Sequence, residues 1–294
     1  MPTALPRNIQ LKLEQTLAQW PHWHCEPRLT AVPDVAAVLS PGASNFSILV
    51  GSGQRFVVRI DGVNPAANGL NRQTEWRALQ AAHGAGLAPR PRYFNPDLGS
   101  LVCDYLPPDE EQSVVITELA GLLRAIHQLP ARHNRLDLAE RILRYEKQLQ
   151  HRGRAPAPPL AHCREQVWDL LRSIDPEAQA TALCHNDLLQ ANRIYSGGRL
   201  WAIDWEYCAM GDPWYDIAVV INGDGLNRAQ TDQLLDTYLG RAVSTTERQA
   251  LHHYGCIYRY LELLWYLAQE RCPAAGETLA VKQDELVQFL AREG

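Results

Sequence analysis

Acidic side chains are concentrated between residues 183 and 218, in the segment LCHNDLLQANRIYSGGRLWAIDWEYCAMGDPWYDIA. Its first part has the spacing His185-x-Asp187-x-x-x-x-Asn192, and Asp204 follows at the end of a hydrophobic run. Carboxylates held close together repel one another, so a cluster of this kind usually needs a cation. The segment therefore predicts a bound cation.

A β-hairpin is expected within this segment, because Gly197 and Gly198 separate the short strand-like runs RIY and RLWAID. If the strands pair about this turn, Asn192 near the start of one faces Asp204 near the end of the other. Amide and carboxylate oxygens suit a hard divalent cation such as Mg²⁺, which is held by few protein oxygens together with water and substrate phosphates. Asn192 and Asp204 are therefore predicted metal ligands.

Asp187 lies on the loop that leads into the predicted hairpin. A carboxylate at this place, off the metal, could orient a hydroxyl group and accept its proton. An Asp, an Asn five residues later and a further Asp after the next strand form the layout that kinase-like folds use for phosphoryl transfer.

The segments before this site have the pattern of an antiparallel sheet. The runs AAVLS, FSILV and RFVVRI are separated by turn clusters, and SLVCDYL leads into Pro107 and Pro108. One helix is expected around Ile9 to Trp20, and another over QTEWRALQAAHGAG. These elements form the first part of the chain.

After the two prolines the pattern changes from strand-rich to helix-rich. ELAGLLRAIHQL has a hydrophobic helical face, RGRAPAPPL reads as a proline-rich loop, and Ser244 to Glu247 form a candidate capping box before a long helix. We therefore predict an α+β fold with two lobes. Residues 1–106 would form a small antiparallel β N-lobe, and residues 107–294 a larger, mostly helical C-lobe.

Composition limits the classes of partner. The chain has 294 residues and a formal net charge of -5, which gives no reason to expect a nucleic acid or an anionic membrane as partner. No run reaches the roughly 18 to 20 apolar residues of a membrane span. We expect a cytoplasmic protein whose partner is a small, neutral or cationic molecule, and the sequence leaves its oligomeric state open.

Several motifs resemble those of one known superfamily. HNDLLQAN and IDWEYCAMGDPWYDIA are similar to motifs of choline and ethanolamine kinases, thiamine kinases and aminoglycoside phosphotransferases, which share a protein-kinase-like fold. DYLP, ELAGLL and IDWEY look closest to bacterial thiamine kinases, whereas HNDLL and DIA look closest to choline kinases. The resemblance implies a nucleotide-binding N-lobe, with ATP and Mg²⁺ as cofactors, and a catalytic C-lobe.

The resemblance also implies roles for the acidic segment. Asp187 would be the catalytic base, and Asn192 and Asp204 the metal ligands. His185 would brace the catalytic loop, while Asp216 would hold that loop through backbone hydrogen bonds.

On the nucleotide side, the resemblance is carried by FVVRIDG, NRQTE and LVCDYLPP. It implies that Arg59 takes the place of the lysine that pairs with nucleotide phosphates, and that Glu75 is its ion-pair partner. A guanidinium can hold phosphate oxygens in a bidentate manner. The hinge residues Tyr105 and Leu106 belong to the same expected nucleotide site.

The chain departs from the protein-kinase pattern in two places. The loop SPGASNFS has only Gly42 in place of a G-x-G-x-x-G sequence, so phosphate binding would rest on backbone N–H groups with Ser44 and Asn45. IDWEY replaces D-F-G, and no activation-loop segment with a following A-P-E is present. The second departure favours an enzyme that acts on small molecules over a regulated protein kinase.

The acceptor side has acidic and aromatic candidates. Tyr254, Tyr258, Leu261 and Trp265 recur at helical spacing, which is typical either of a core helix or of an aromatic box for a cationic group. The predicted substrate residues are Glu206, Tyr207, Trp214, Glu262 and Trp265.

Together these features predict an ATP-dependent kinase that phosphorylates the hydroxyl of a small cationic alcohol, either choline or ethanolamine, or thiamine. An aminoglycoside or sugar phosphotransferase is the alternative among enzymes. A non-catalytic, nucleotide-binding pseudokinase is the alternative outside them.

Overall fold

The computed structural model describes residues 5–40, 45–62, 64–110, 113–153, 158–174, 181–268 and 276–291. The chain divides into two compact units. Unit 1 comprises Met1–Ser113 and Arg193–Tyr207, and unit 2 comprises Val114–Asn192 and Cys208–Gly294. Residues 193–207, which the sequence places with the helical segment, thus group with the strands of unit 1.

Unit 1 contains a five-stranded antiparallel sheet in the order β1-β2-β3-β5-β4. Its strands are β1 (Asp34–Ser40), β2 (Asn45–Ser52), β3 (Gln54–Asp61), β4 (Pro91–Asn95) and β5 (Ser100–Asp104). The predicted strands are present, while β4 has no counterpart in the sequence prediction. The N-lobe is antiparallel, as the predicted fold class requires.

The two faces of β3 have different surroundings. Phe56, Val58 and Ile60 are fully buried in a core shared with Ile9 and Leu13, which belong to helix α1 (Arg7–Ala18). Because side chains alternate along a strand, Arg59 and Asp61 lie on the opposite face. They meet helix α2 (Arg72–Gly84) there, through the ion pairs described below.

A hairpin completes unit 1. Strands β7 (Arg193–Ser196) and β8 (Arg199–Ala202) pair antiparallel. Gly197 and Gly198 both have positive φ, +60° and +72°, a backbone conformation that a two-residue turn needs and that glycine adopts without strain. The Asp109 carboxylate accepts both glycine N–H groups, at 2.9 and 2.8 Å. This anchor explains why the hairpin groups with the N-terminal strands.

Unit 2 is mostly helical. Its helices are α3 (Ile116–His127), α4 (Leu138–His151), α5 (Pro158–Ser173), α6 (Pro213–Gly223), α7 (Arg228–Leu239), α8 (Thr245–Ala268) and α9 (Gly276–Leu290). The predicted α+β fold class is therefore confirmed. Residues 154–157 of the predicted proline-rich loop lie outside the described residues, and α5 begins at Pro158, where a proline is tolerated in the first helical turn.

Helix α8 forms the centre of the unit 2 core. Tyr254, Tyr258 and Leu261 are buried there, which agrees with the core interpretation of the aromatic pattern, whereas Trp265 is only partly buried. The predicted capping box precedes the helix: the Ser244 N–H donates to the Glu247 carboxylate at 2.8 Å, and the Glu247 N–H donates to Ser244 Oγ at 3.2 Å.

Two short strands join the loops that carry the acidic segment. Strand β6 (Ala182–Cys184) pairs antiparallel with β9 (Ala209–Gly211). The pairing brings the residues that follow Cys184 beside the start of α6. None of the described helices is both long and apolar enough to cross a lipid bilayer.

Candidate active site

Asp187 and Asn192 are hydrogen-bonded to each other in the loop after β6. The Asn192 amide nitrogen donates to the Asp187 carboxylate at 2.7 Å and to the Asp187 backbone oxygen at 2.8 Å. These bonds fix the carboxylate in one orientation. They also leave the amide oxygen of Asn192 as the atom of that side chain suited to ligate a metal ion.

Asp216 ties this loop to helix α6. Its carboxylate is fully buried and accepts the backbone N–H groups of His185 at 2.8 Å and of Asn186 at 2.7 Å. Asn186 has a φ of +61°, a left-handed conformation that asparagine adopts more readily than most residues. The structure therefore brings Asp216 together with the loop that it was predicted to hold.

A further histidine supports Asp216 from helix α3. His127 Nε2 lies 3.0 Å from Asp216 Oδ2, and its Nδ1 lies 2.8 Å from the Tyr238 hydroxyl of α7. Burial raises the pKa of Asp216, but the hydrogen bond and charge of His127, with the contribution of His185, outweigh burial and lower that pKa below its usual value. Asp216 is thus held as a carboxylate.

His127, Asp216 and Cys184 offer three ligand atoms within 4.8 Å of one another. The Asp216 oxygens already accept hydrogen bonds from two backbone N–H groups and His127. Burial, followed by the charge of Asp216, raises the pKa of the Cys184 thiol well above its usual value, whereas metal binding needs a thiolate. This cluster is therefore a hydrogen-bonded support for the loop.

In unit 1, Arg59 makes a buried ion pair with Glu75. Both guanidinium nitrogens of Arg59 contact the carboxylate, Nη1 to Oε1 and Nη2 to Oε2, the second at 2.8 Å. Nη1 also donates to Asp204 Oδ1 at 2.9 Å. The structure therefore brings together three residues that the sequence singled out in separate motifs.

A second guanidinium, that of Arg72, was not predicted. It contacts Asp61 at 2.6 Å, Glu75 at 2.8 Å and Glu206 at 3.0 Å. Asn45 lies in the same network, because its amide nitrogen donates to Glu206 at 2.7 Å. Arg72 precedes Glu75 by three residues, so a helical i,i+3 pair was the signal available in the sequence.

These contacts define a charged cluster in which acidic side chains outnumber basic ones. Among the described residues, these contacts join the carboxyl groups of Asp61, Glu75, Asp204 and Glu206 to the two guanidiniums. With all of these groups ionised, the excess is two negative charges. Burial, and then the charge of Glu206, raises the pKa of Asp204 to about 7. A divalent cation would offset this excess, and oxygen donors are the ligands that Mg²⁺ requires.

Tyr105 and Leu106 are the predicted hinge residues of the nucleotide site. The Tyr105 N–H donates to the Arg55 backbone oxygen at 3.1 Å, and the Arg55 guanidinium lies 4.7 Å from the centre of the Tyr105 ring. Leu106 is partly exposed beside it. Gly42 and Ser44 lie outside the described residues.

The predicted acceptor residues are divided between the units. Glu206 and Tyr207 belong to unit 1, where Glu206 is buried in the charged cluster. In unit 2, Trp214 lies in the first turn of α6, while Glu262 and Trp265 are partly exposed on α8. The Glu262 carboxylate is 2.9 Å from Lys282 Nζ of helix α9, a contact that the sequence did not predict.

An antiparallel-sheet unit with a buried Arg–Glu pair and a helical unit with an Asp–Asn loop define a protein-kinase-like fold. Solved structures share it. LicA in complex with AMP superposes with a TM-score of 0.79 at 21% identity, over 98% of this chain and 99% of LicA. Aminoglycoside phosphotransferase APH(2'')-Ib, ADP-bound, superposes with a TM-score of 0.62 at 15% identity, over 97% and 98% of the two chains.

The chain belongs to the phosphotransferase enzyme family, whose model matches residues 35–254. Thiamine kinase from Escherichia coli is 32% identical over 203 residues, which are 68% of this chain and 70% of that protein. Protein LicA from Haemophilus influenzae is 39% identical over 87 residues, which are 29% of this chain and 33% of LicA. The match to LicA therefore covers about a third of its length. The predicted family membership is confirmed.

Proposed function

We propose that this protein transfers the γ-phosphate of ATP to the hydroxyl of a small cationic alcohol. The hydrogen-bonded pair of Asp187 and Asn192 carries this proposal, because it combines a fixed carboxylate with an amide oxygen in the spacing used for phosphoryl transfer. The names of the similar proteins, which include thiamine kinase and complexes with AMP and ADP, support the same class of reaction.

In unit 2, Asp187 orients the acceptor hydroxyl and takes its proton. Asn192 holds the Asp187 carboxylate in place, and Asp216 holds the loop backbone beneath both. His185 is fully buried in this loop, which supports its proposed bracing role. Positioning of this kind supplies much of the rate in phosphoryl transfer, because little covalent chemistry is left to the protein.

In unit 1, Arg59 neutralises charge on the nucleotide phosphates while Glu75 fixes its guanidinium. Gly42, Ser44, Asn45, Tyr105 and Leu106 remain the proposed nucleotide contacts.

Asn192 and Asp204 remain the proposed ligands of Mg²⁺. The oxygen donors of both residues and the excess negative charge around Asp204 fit a divalent cation. When bound, Mg²⁺ would stabilise the negative charge of the phosphates.

The acceptor is proposed to be choline, ethanolamine or thiamine. Glu262, with the aromatic side chains of Tyr207, Trp214 and Trp265, offers a carboxylate and ring faces, which bind ammonium and other organic cations. Glu206 is retained as a proposed residue of the acceptor side, although its present partners are Arg72 and Asn45.

The test is ATP consumption with Mg²⁺ against choline, ethanolamine, thiamine, N-acetyl sugars and kanamycin. We expect one cationic alcohol to support turnover, and we expect Asp187→Ala to lower kcat by at least about 10²-fold while nucleotide binding is nearly unchanged. Retained turnover in Asp187→Ala would contradict the role of this residue. Turnover with kanamycin alone would favour the aminoglycoside alternative.

Nucleotide binding without acceptor-dependent turnover would favour the non-catalytic alternative. Binding is measured separately, by titration of an ATP analogue that cannot be hydrolysed. The titration distinguishes a protein that binds nucleotide but phosphorylates none of the tested acceptors from a protein that does not bind nucleotide.

A further inference from the structure

The ammonium group of Lys282 lies among the groups that a cationic acceptor needs. Its Nζ is 2.9 Å from Glu262 Oε1 and 5.2 Å from the centre of the Tyr266 ring. A carboxylate and an aromatic face around one ammonium form a cation subsite. The subsite next to Glu262 therefore holds a cation that belongs to the chain itself.

This subsite adjoins the loop that carries Asp187. The Tyr258 hydroxyl donates to the same Oε1 of Glu262, at 3.4 Å. A Cβ built on Gly223 of α6 would meet both this hydroxyl, at 2.9 Å, and the side chain of Leu189, two residues after Asp187. Burial, followed by the charges of Glu262 and Asp187, raises the pKa of Tyr258. Tyr258 thus links the subsite to the proposed base.

The ion pair between Lys282 and Glu262 can be displaced. Both side chains keep about a quarter of their surface exposed, 24% and 21%. Because both charged groups keep access to water, either one can be rehydrated when the pair opens. Helix α9 also carries Glu285, which pairs with Arg259 of α8 at 3.1 Å, so α9 has a second polar attachment that does not depend on Lys282. Removal of the Lys282 charge should therefore leave α9 in place.

We propose that Lys282 determines acceptor specificity by competing with the acceptor's cation for the Glu262 carboxylate. This inference rests on the proposed function. A primary ammonium such as that of ethanolamine offers the same N–H donors as Lys282, but it lacks the advantage of being attached to the protein. The quaternary ammonium of choline has no N–H donor and binds mainly to ring faces. Lys282 should therefore select against primary ammonium acceptors.

The test compares kcat and KM for ethanolamine and for choline, at saturating ATP, in the parent and in Lys282→Met. We expect the KM for ethanolamine to fall by about tenfold and the KM for choline to fall by less than about threefold. The kcat values and the KM for ATP should not change. Lys282→Arg keeps the charge and should keep the parent's preference.

Lys147→Met is the matched control, because Lys147 is an exposed lysine on another helix of unit 2. This variant should retain the parent's ratio of the two KM values. In a Glu262→Gln background, Lys282→Met should have no further effect, since the group for which the cations compete is gone.

Three results would overturn the inference. The first is an unchanged ratio of KM values in Lys282→Met while ATP is still consumed, which leaves the proposed function standing. The second is a change of the same size in the Glu262→Gln background, which would place the effect elsewhere. The third is phosphorylation of thiamine or a sugar when no variant consumes ATP with choline or ethanolamine. This result would overturn the inference about ammonium specificity but would agree with the proposed phosphoryl transfer.

Discussion

At the residue scale, Arg59 joins residues from separate motifs of unit 1. Its guanidinium is buried and holds two carboxylates, those of Glu75 and Asp204, at once. A bidentate pair of this kind depends on the planar fork of arginine, which lysine cannot reproduce. Loss of Arg59 would remove this charge from Asp204 and leave Glu75 to Arg72.

We therefore predict that Arg59→Met lowers the free energy of unfolding by about 3 to 5 kcal/mol, the usual cost of removing one partner from a buried ion pair. Urea unfolding followed by circular dichroism measures this loss. Arg144→Met is the control, because Arg144 pairs with Glu140 at the surface and should cost less than about 1 kcal/mol. Equal losses in the two variants would contradict the buried character of the Arg59 pair.

Single residues were predictable from the sequence where their partners lie nearby in the chain. Asp187 and Asn192 are five positions apart, and the structure joins them directly. His127 and Lys282 were not predicted, since their partners Asp216 and Glu262 lie 89 and 20 positions away. Nothing in the local pattern of a helix indicates which distant carboxylate a basic side chain will meet.

At the element scale, helix α8 depends on the charged groups at its start. Glu247 accepts the Ser244 N–H and also pairs with Arg241 at 2.6 Å. The hydrogen bonds from Arg241 and Ser244 lower the pKa of Glu247 to about 2. Since this is below the usual value of 4.5, folding favours the ionised form of the side chain.

We predict that Glu247→Ala lowers the free energy of unfolding by about 1 kcal/mol at pH 7. A depressed pKa in the folded state stabilises the protein above the unfolded value, and this contribution is lost as the pH falls from about 4.5 towards 2. The difference between the parent and the variant should therefore shrink below about pH 4.5, as chemical unfolding at several pH values will test.

Glu165→Ala is the control for this measurement, because Glu165 is exposed on α5. It should have almost no effect at either pH. A difference for Glu247→Ala that stays constant with pH would show that the charge of Glu247 does not stabilise the helix.

The elements that the sequence predicted best have strong local signals. Alternating apolar residues predicted β3, and Ser244 with Glu247 predicted the start of α8. Strand β4 (Pro91–Asn95) was missed, because PRYFN is short, begins with proline and lacks clear alternation. Its place at the sheet edge follows from pairing with β5, which is a tertiary contact.

At the scale of the whole molecule, the excess of carboxylates in unit 1 should affect the stability of the protein. The pKa of Asp204 is raised to about 7, above its usual value of 3.8. The folded state therefore binds a proton more tightly than the unfolded state, and the unfolding free energy of the metal-free protein should fall as the pH rises from about 4 to about 7.

We predict that Asp204→Asn is more stable than the parent at pH 8 in EDTA, with a melting temperature higher by about 2 to 4 °C. The amide removes one of the repelling charges and keeps an oxygen for Arg59. Thermal unfolding measures this difference, which should shrink as the pH falls below about 7 and disappear near pH 4. A variant that is less stable than the parent at pH 8 would show that the carboxylate is already compensated.

Whereas deprotonation of Asp204 lowers the stability of the folded protein, binding of Mg²⁺ should raise it. Added with an ATP analogue that cannot be hydrolysed, it should raise the melting temperature of the parent more than that of Asp204→Asn, because binding to the folded state stabilises it. Equal shifts in the two proteins would contradict Asp204 as a metal ligand.

The discontinuity of unit 1 has a consequence for synthesis on the ribosome. The unit needs residues 193–207, so the N-terminal strands emerge long before their hairpin does. During that interval the Asp109 carboxylate lacks the two glycine N–H groups, and the Leu87 backbone oxygen lacks the N–H of Ala202. We expect unit 1 to remain incomplete until residue 207 has left the exit tunnel. Codon changes that slow translation between residues 113 and 193 should therefore prolong its exposure to proteases and chaperones.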